Sequence, residues 1–197
     1  MTRDWSKDHL TIGVVGTGAM GRGIAQVSAT GGMDVLMHDA VAGSAEKARA
    51  AIVEQLRSLQ AKGRMAEADV DAAAARLKVV GSTADLAPCD VVVEAIFEDL
   101  EAKRALFREL ETALRPEAII ASNTSSIRIA SIAAACARRD RVAGLHYFNP
   151  VPLMKLVEVI RAAETAPWVV AALTALGRRQ GRVPVSVGDT PGFLVNL

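Results

Sequence analysis

A chain of 197 residues, 51% hydrophobic and 23% charged, has the composition of a globular protein with one substantial core. Its 23 basic and 22 acidic side chains are interspersed and give a formal charge of +1, so the basic stripe that a nucleic-acid backbone requires is missing. The first eight residues lack a hydrophobic signal core and no apolar run reaches the roughly 18 residues that span a bilayer, so a cytoplasmic protein with no membrane partner is expected.

Short β-branched runs alternate along the chain with longer alanine-rich segments, which is the rhythm of βαβ units. Strands are predicted over 11–15, 34–38, 77–80, 90–94, 118–121, 141–145, 156–160 and 183–187. They are apolar almost throughout, as in a sheet covered on both faces. Ala48, Ile52, Leu56 and Leu59 recur at helical spacing, as do Leu106, Phe107, Leu110 and Leu114, so each of these segments turns one apolar face to the sheet. The more charged stretch 61–76 reads as a helical insertion. The predicted fold class is α/β, a Rossmann-like doubly wound, mostly parallel sheet with a helical insertion after the second strand. Cys89 and Cys136 lie in unrelated segments without CxxC or histidine spacing. No disulfide framework and no metal site is expected, and both cysteines read as small core side chains.

The first strand runs into Gly16-Thr17-Gly18-Ala19-Met20-Gly21, which opens an apolar helix carrying Ile24, Ala25 and Val27. Gly-x-Gly-x-x-Gly by itself is a weak signal. Here a strand precedes it, a helix follows it, and an acid, Asp39, stands about 18 residues after Gly21 at the end of the next strand. Gly16 suits a tight turn, Gly18 a close approach of backbone to a pyrophosphate, and Gly21 close packing of helix on strand. The helix N-terminus attracts the anion. Asp39 is placed to accept from an adenosine ribose, and a 2′-phosphate there would meet a carboxylate with no nearby arginine. The cofactor expected is therefore NAD, not NADP.

In open α/β sheets the chemistry sits beyond the carboxyl ends of the strands. Two such ends are unusually polar: Ser122-Asn123-Thr124-Ser125-Ser126, and His146-Tyr147-Phe148-Asn149-Pro150. The first needs only one of its five residues as a helix cap. In the second, a lone histidine beside an apolar strand is usually structural. Glu158 shifts that reading, because a carboxylate inside Leu156-Val157-Glu158-Val159-Ile160 is costly unless paired. His146 is its obvious partner if the turn at 149–152 folds one strand beside the other, and a histidine oriented by a buried carboxylate is a candidate general base.

From Gly16 to Asn196 the chain resembles the N-terminal domain of the L-3-hydroxyacyl-CoA dehydrogenases, including the bacterial 3-hydroxybutyryl-CoA type. The segments 122–126, 146–150, 154–159 and 189–196 carry the likeness. The resemblance implies an oxidoreductase that moves a hydride from C3 of an L-3-hydroxyacyl-CoA to NAD, giving a 3-ketoacyl-CoA and NADH. It implies that His146 takes the hydroxyl proton, that Glu158 orients His146, and that Ser125 and Asn196 contact the reacting oxygen or the nicotinamide region. It also implies that Glu98, Lys103 and Asn149 line the cofactor and substrate cleft; spacing alone would make Glu98 and Lys103 a solvated helix start. Family members hold CoA phosphates partly through a serine and a lysine on the helix after the second strand. Here the lysine position holds Ala50, and Ser44, Lys47 and Arg49 are the remaining candidates.

The same resemblance divides the chain into an NAD-binding domain over 1–187 and, over 188–197, the start of a C-terminal helical domain that is otherwise absent and would supply the homodimer contact. Asp189-Thr190-Pro191-Gly192 reads as the start of that helix. Two other readings compete. Short-acid dehydrogenases of the 3-hydroxyisobutyrate or phosphogluconate kind share the glycine loop but rely on a lysine base, and a crystallin-like relative would keep the fold without chemistry. The His146, Glu158, Ser125 and Asn196 set argues against both.

Overall fold

The computed structural model describes residues 4–190 and 192–193. Eight strands form one sheet: β1 (Thr11–Val15), β2 (Asp34–His38), β3 (Leu77–Val79), β4 (Val91–Glu94), β5 (Ile119–Ser122), β6 (Val142–Tyr147), β7 (Leu156–Arg161) and β8 (Val183–Gly188). Their spatial order is β3-β2-β1-β4-β5-β6-β7-β8. β1 to β6 are mutually parallel, β7 pairs antiparallel to β6, and β8 runs parallel to β7. All eight predicted strands are present, and the doubly wound order reverses at β1, whose neighbours are β2 and β4.

The helices are α1 (Ala19–Thr30), α2 (Ser44–Ala61), α3 (Glu67–Arg76), α4 (Leu100–Ala113), α5 (Ile129–Ala133) and α6 (Pro167–Arg179). The pleat sends alternate strand residues to two cores. Val91 and Val93 join Ile24, Ile52, Val70 and Leu173 of α1, α2, α3 and α6 on one face. Val92 joins Phe107 and Leu110 of α4 and Ile132 of α5 on the other. A strand that feeds both cores is apolar on both faces, as in Val91-Val92-Val93 of β4, whereas β3 at the sheet edge alternates, with Lys78 exposed between Leu77 and Val79. The predicted insertion is α3, inserted between α2 and β3 with Val70 and Ala73 buried.

Helix starts follow local chemistry. Asp99 caps α4 by accepting from the Ala102 amide at 2.8 Å, and Pro167 occupies the first turn of α6, where no amide is needed. Asp189 works across the fold: its carboxylate accepts from the amides of Ile129 (2.7 Å) and Ala130 (2.8 Å), satisfying the first turn of α5. The Phe193 amide then closes a turn on the Thr190 carbonyl at 3.0 Å. The helix expected after this turn lies in residues 194–197, outside the described residues. Burial pushes the Cys89 thiol up to about 12 and the Cys136 thiol up to about 11, so both stay protonated core groups. Among the described residues, no helix is long and apolar enough to cross a membrane, and no group of three or more His, Cys, Asp or Glu could hold a metal ion.

Candidate active site and cofactor cleft

The carboxyl ends of β1, β2 and β4 open onto a cleft of about 560 Å³ whose lining includes Gly16, Gly18, Asp39, Val41, Ile96 and Phe97. It sits at the switch point, where an open α/β sheet binds its ligand. Gly16 has φ +87°, and a Cβ there would stand 2.6 Å from the Ala95 carbonyl oxygen. At Gly21 a Cβ would fall 1.8 Å from the Gly16 carbonyl oxygen, so neither position accepts another residue in this backbone. At Gly18 it would meet nothing within 4 Å. That open space, beside exposed Ala19 and half-buried Met20 at the start of α1, is where a phosphate can approach the helix amides.

Asp39 closes the loop's other side. Its carboxylate accepts from the Thr17 amide (2.7 Å), the Thr17 hydroxyl (2.8 Å) and the Val41 amide (2.9 Å). Partial burial works to raise its pKa, but these bonds outweigh it and hold the carboxyl below the ordinary value. Asp39 therefore stays an anion facing the cleft. An open glycine approach, a helix N-terminus and an ionised acid at the next strand end fit a dinucleotide diphosphate and ribose.

Around the end of β4 lies a buried ionic cluster. Glu94 is fully buried, and Lys103 of α4 is 1% exposed. The Lys103 ammonium donates to Glu94 Oε1 at 2.5 Å and lies 3.3 Å from Glu98 Oε2 and 3.5 Å from the Ile96 carbonyl. Glu94 also accepts from the Ile96 amide (2.8 Å) and the Ser122 hydroxyl (2.7 Å). Glu98 Oε1 in turn gathers the turn after β5, accepting from the Thr124 hydroxyl, the Ser125 amide (3.1 Å), the Ser126 amide (3.2 Å) and the Ser126 hydroxyl (3.0 Å). Lys103 is thus no solvated helix-start residue, contrary to its spacing, because its partner is a carboxylate on the neighbouring strand. Neither Glu98 nor Lys103 is among the residues that line the cleft.

At the end of β6 the antiparallel register sets His146 directly opposite Glu158 of β7. His146 Nδ1 and Glu158 Oε2 are 2.7 Å apart, and the two residues are 5% and 0% exposed. The carboxylate can only accept, so Nδ1 carries the proton and Nε2 presents a lone pair. The ring is flanked by Phe148 and Phe193, with centroids at 4.6 and 5.7 Å. Ser125 and Asn149 are exposed at the ends of the adjacent strands β5 and β6, on the same edge of the sheet as His146. Asn196 lies outside the described residues.

The candidates for CoA phosphates lie on α2, which follows the loop after β2. Ser44 begins α2, Lys47 and Arg49 are exposed along it, and the Arg49 Nε donates to the Leu77 carbonyl at 2.8 Å. None of the three lines the cleft. The residues that sequence reasoning missed are Glu94, which holds Lys103 and Ser122, and Thr83, Phe97 and Glu109, which line the cleft; Ser122, Thr124 and Ser126 lie in the polar strand end already singled out, with no individual role assigned to them there.

Fold and site together define a doubly wound dinucleotide-binding domain with a buried His–carboxylate pair at its strand ends. The family described as 3-hydroxyacyl-CoA dehydrogenase, NAD binding domain, matches residues 11–190, and the chain belongs to that family; its cofactor is NAD. A probable 3-hydroxybutyryl-CoA dehydrogenase of Deinococcus radiodurans is 41% identical over 187 residues, covering 95% of this chain and 67% of that protein. The human mitochondrial hydroxyacyl-coenzyme A dehydrogenase is 44% identical, with 95% of this chain and 61% of that one covered. A solved structure of (S)-3-hydroxybutyryl-CoA dehydrogenase from Ralstonia eutropha superposes with a TM-score of 0.92 at 41% identity, over 95% of this chain and 66% of that one. The chain thus spans about two thirds of the length of these relatives.

Proposed function

We propose that this domain oxidises the 3-hydroxyl of an L-3-hydroxyacyl-CoA thioester, reversibly, with His146 as the proton acceptor. The observation that carries the reading is the buried His146–Glu158 pair, 2.7 Å apart, at the strand edge that also bears the glycine loop. Glu158 fixes the tautomer and ring plane, and its negative charge favours the imidazolium that forms when Nε2 takes the hydroxyl proton. Phe148 and Phe193 pack against the ring. The chemistry NAD supplies when bound is acceptance of the C3 hydrogen with its electron pair. Gly16, Thr17, Gly18, Ala19, Met20, Gly21 and Asp39 hold the dinucleotide. Ser125, on the turn gathered by Glu98, and Asn149 are assigned to the reacting oxygen and the nicotinamide end, together with Asn196.

The greater length of the relatives supports a two-part architecture, with the NAD-binding domain ending near 187 and a helical domain beyond it. In this reading that domain covers the acyl chain and carries the homodimer contact, and the whole works in the cytoplasm. CoA phosphates are assigned to Ser44, Lys47 and Arg49, of which Arg49 must first release the Leu77 carbonyl.

The test is turnover of a panel of 3-hydroxyacyl-CoA thioesters by the chain extended through the relatives' full length. At least one thioester is expected to reduce NAD, and His146→Gln is expected to lower kcat by about 10²–10⁴-fold, the usual cost of losing a positioned base. The dissociation constant for NAD should stay within a few-fold. Undiminished turnover in His146→Gln would remove the assignment.

A further inference from the structure

The cofactor cleft ends in a polar pair that neither the glycine loop nor Asp39 explains. Thr83 opens the short 3-10 turn after β3, is 8% exposed, and donates its hydroxyl to Oε1 of Glu109 in the third turn of α4. Both residues line the cleft, together with the apolar side chains of Val41, Phe97 and Leu106. Val41 and Phe97 are 66% and 72% exposed, large apolar groups left facing solvent at a ligand site.

Sheet order says which part of the dinucleotide reaches this pair. The glycine loop follows β1 and takes the diphosphate; Asp39 follows β2 and takes the adenosine ribose. The order β3-β2-β1 makes the segment after β3, which holds Thr83, the next step along the same line. The base therefore falls between Val41, Phe97 and Leu106, with its outer edge toward Thr83 and Glu109. Its two faces meet apolar side chains; with Asp39 assigned to the ribose and His38 Nδ1 directed to the Val80 carbonyl, the polar pair is what meets the base edge.

The hydrogen-bond inventory of that pair is one-sided. A threonine hydroxyl has a single proton, and here it is committed to Glu109. The carboxylate has no proton. Both side chains thus present only lone pairs to the cleft. Adenine carries an amino group at C6, which donates; hypoxanthine carries an oxo group there, which accepts, and its donor lies one ring position away on N1, so an acceptor set at C6 favours adenine.

We propose that Glu109, held in place by Thr83, reads the 6-amino group of the adenine ring and sets the preference of this domain for adenine over 6-oxopurine dinucleotides. The assignment rests on the NAD site described above. A merely structural tie between α4 and the 3-10 turn would be indifferent to the base.

The experiment compares dissociation constants, by calorimetry, for NAD and nicotinamide hypoxanthine dinucleotide, which differ at C6 of the purine and in the proton that the 6-oxo form carries on N1. The unsubstituted protein is expected to favour NAD by about tenfold, the scale of one charge-assisted hydrogen bond at a partly exposed site. Glu109→Gln keeps an acceptor for Thr83 and offers the base an amide that can either accept or donate. It should bring the two constants within about twofold of each other, chiefly by weakening NAD. Asp39→Ala should weaken both dinucleotides alike. Equal affinities in the unsubstituted protein with NAD still bound, or discrimination that survives Glu109→Gln, would overturn the role of Glu109. Failure of the unsubstituted protein to bind either dinucleotide would overturn the cleft assignment itself, and this inference with it.

Discussion

Two carboxylates terminate or interrupt apolar strands in this domain, and their partners make them different. Glu94, at the end of β4, faces an ammonium; Glu158, within β7, faces an imidazole. Both pairs are buried, and both lie at the edge where the cofactor loop sits. Lys103 has three N–H donors and three acceptors near them, Glu94, Glu98 and the Ile96 carbonyl, so nothing is left over for a ligand. His146 uses only Nδ1 on Glu158, and among the described residues its Nε2 has no hydrogen-bond partner. A buried pair whose donors are all used fixes geometry; one whose base keeps a free lone pair can move a proton. Burial and distance do not distinguish the two pairs, and the remaining hydrogen-bond capacity of the basic partner does.

The largest expected effect tests the structural side of this contrast. Lys103→Met leaves Glu94 buried with its ammonium gone, and breaking a buried pair in this way typically costs about 3–5 kcal/mol. Urea unfolding should show that loss as a lower midpoint, and Glu94→Gln in the same chain should recover most of it, since the amide oxygen still accepts from Ser122 or Ile96. His146→Gln, by contrast, should shift stability by less than about 1.5 kcal/mol, since the amide can still donate to Glu158. Equal losses from the two single substitutions would erase the contrast.

The next effect tests the chemical side. If His146 and Glu158 form one proton-transfer unit, Glu158→Gln added to His146→Gln should lower kcat by no more than about threefold beyond His146→Gln alone, because residues acting together lose their effect once. Multiplication of the two separate losses would show that they act independently.

Most of the fold was legible in the sequence because inner strands that feed two cores are apolar on both faces, and helices on either side must turn one face inward. The glycine loop, Asp39 and the Glu158–His146 pairing were legible for the same reason: each breaks a local rule in a way that calls for a partner. Glu94 broke the same rule, closing Val91-Val92-Val93-Glu94, and the argument applied to Glu158 would have found it. Lys103 was misread because nothing within its own helix turn marks it as buried; its acceptor sits on a strand nine residues earlier. Thr83 and Glu109 were invisible for a related reason, being 26 residues apart on elements that only the sheet order brings together.

The smallest expected effect concerns Glu98, which links the buried ionic cluster to the turn that carries Ser125. Burial works to raise its pKa, but the Thr124 hydroxyl, the Lys103 ammonium and the Ser126 hydroxyl outweigh that and hold the carboxyl below its ordinary value of 4.5. A group whose folded pKa is depressed contributes stability that is present in full above its unfolded value and lost as pH falls through the folded one. The turn at 124–126 should therefore stay closed from neutral pH down to about 4.5 and loosen only at lower pH, when the oxygen that gathers four donors takes up a proton. Glu98 is partly exposed, so solvent screening keeps the effect small and global unfolding is a poor readout. Hydrogen exchange at the Ser125 and Ser126 amides, corrected for the intrinsic pH dependence, reads it locally. Protection of both amides should fall together on the acid side of 4.5, and Glu98→Gln should show weak protection at every pH. A loss of protection centred above 4.5 would mean that burial, not the hydroxyls and the ammonium, dominates at Glu98, and the turn that carries Ser125 would then be held by something other than this carboxylate.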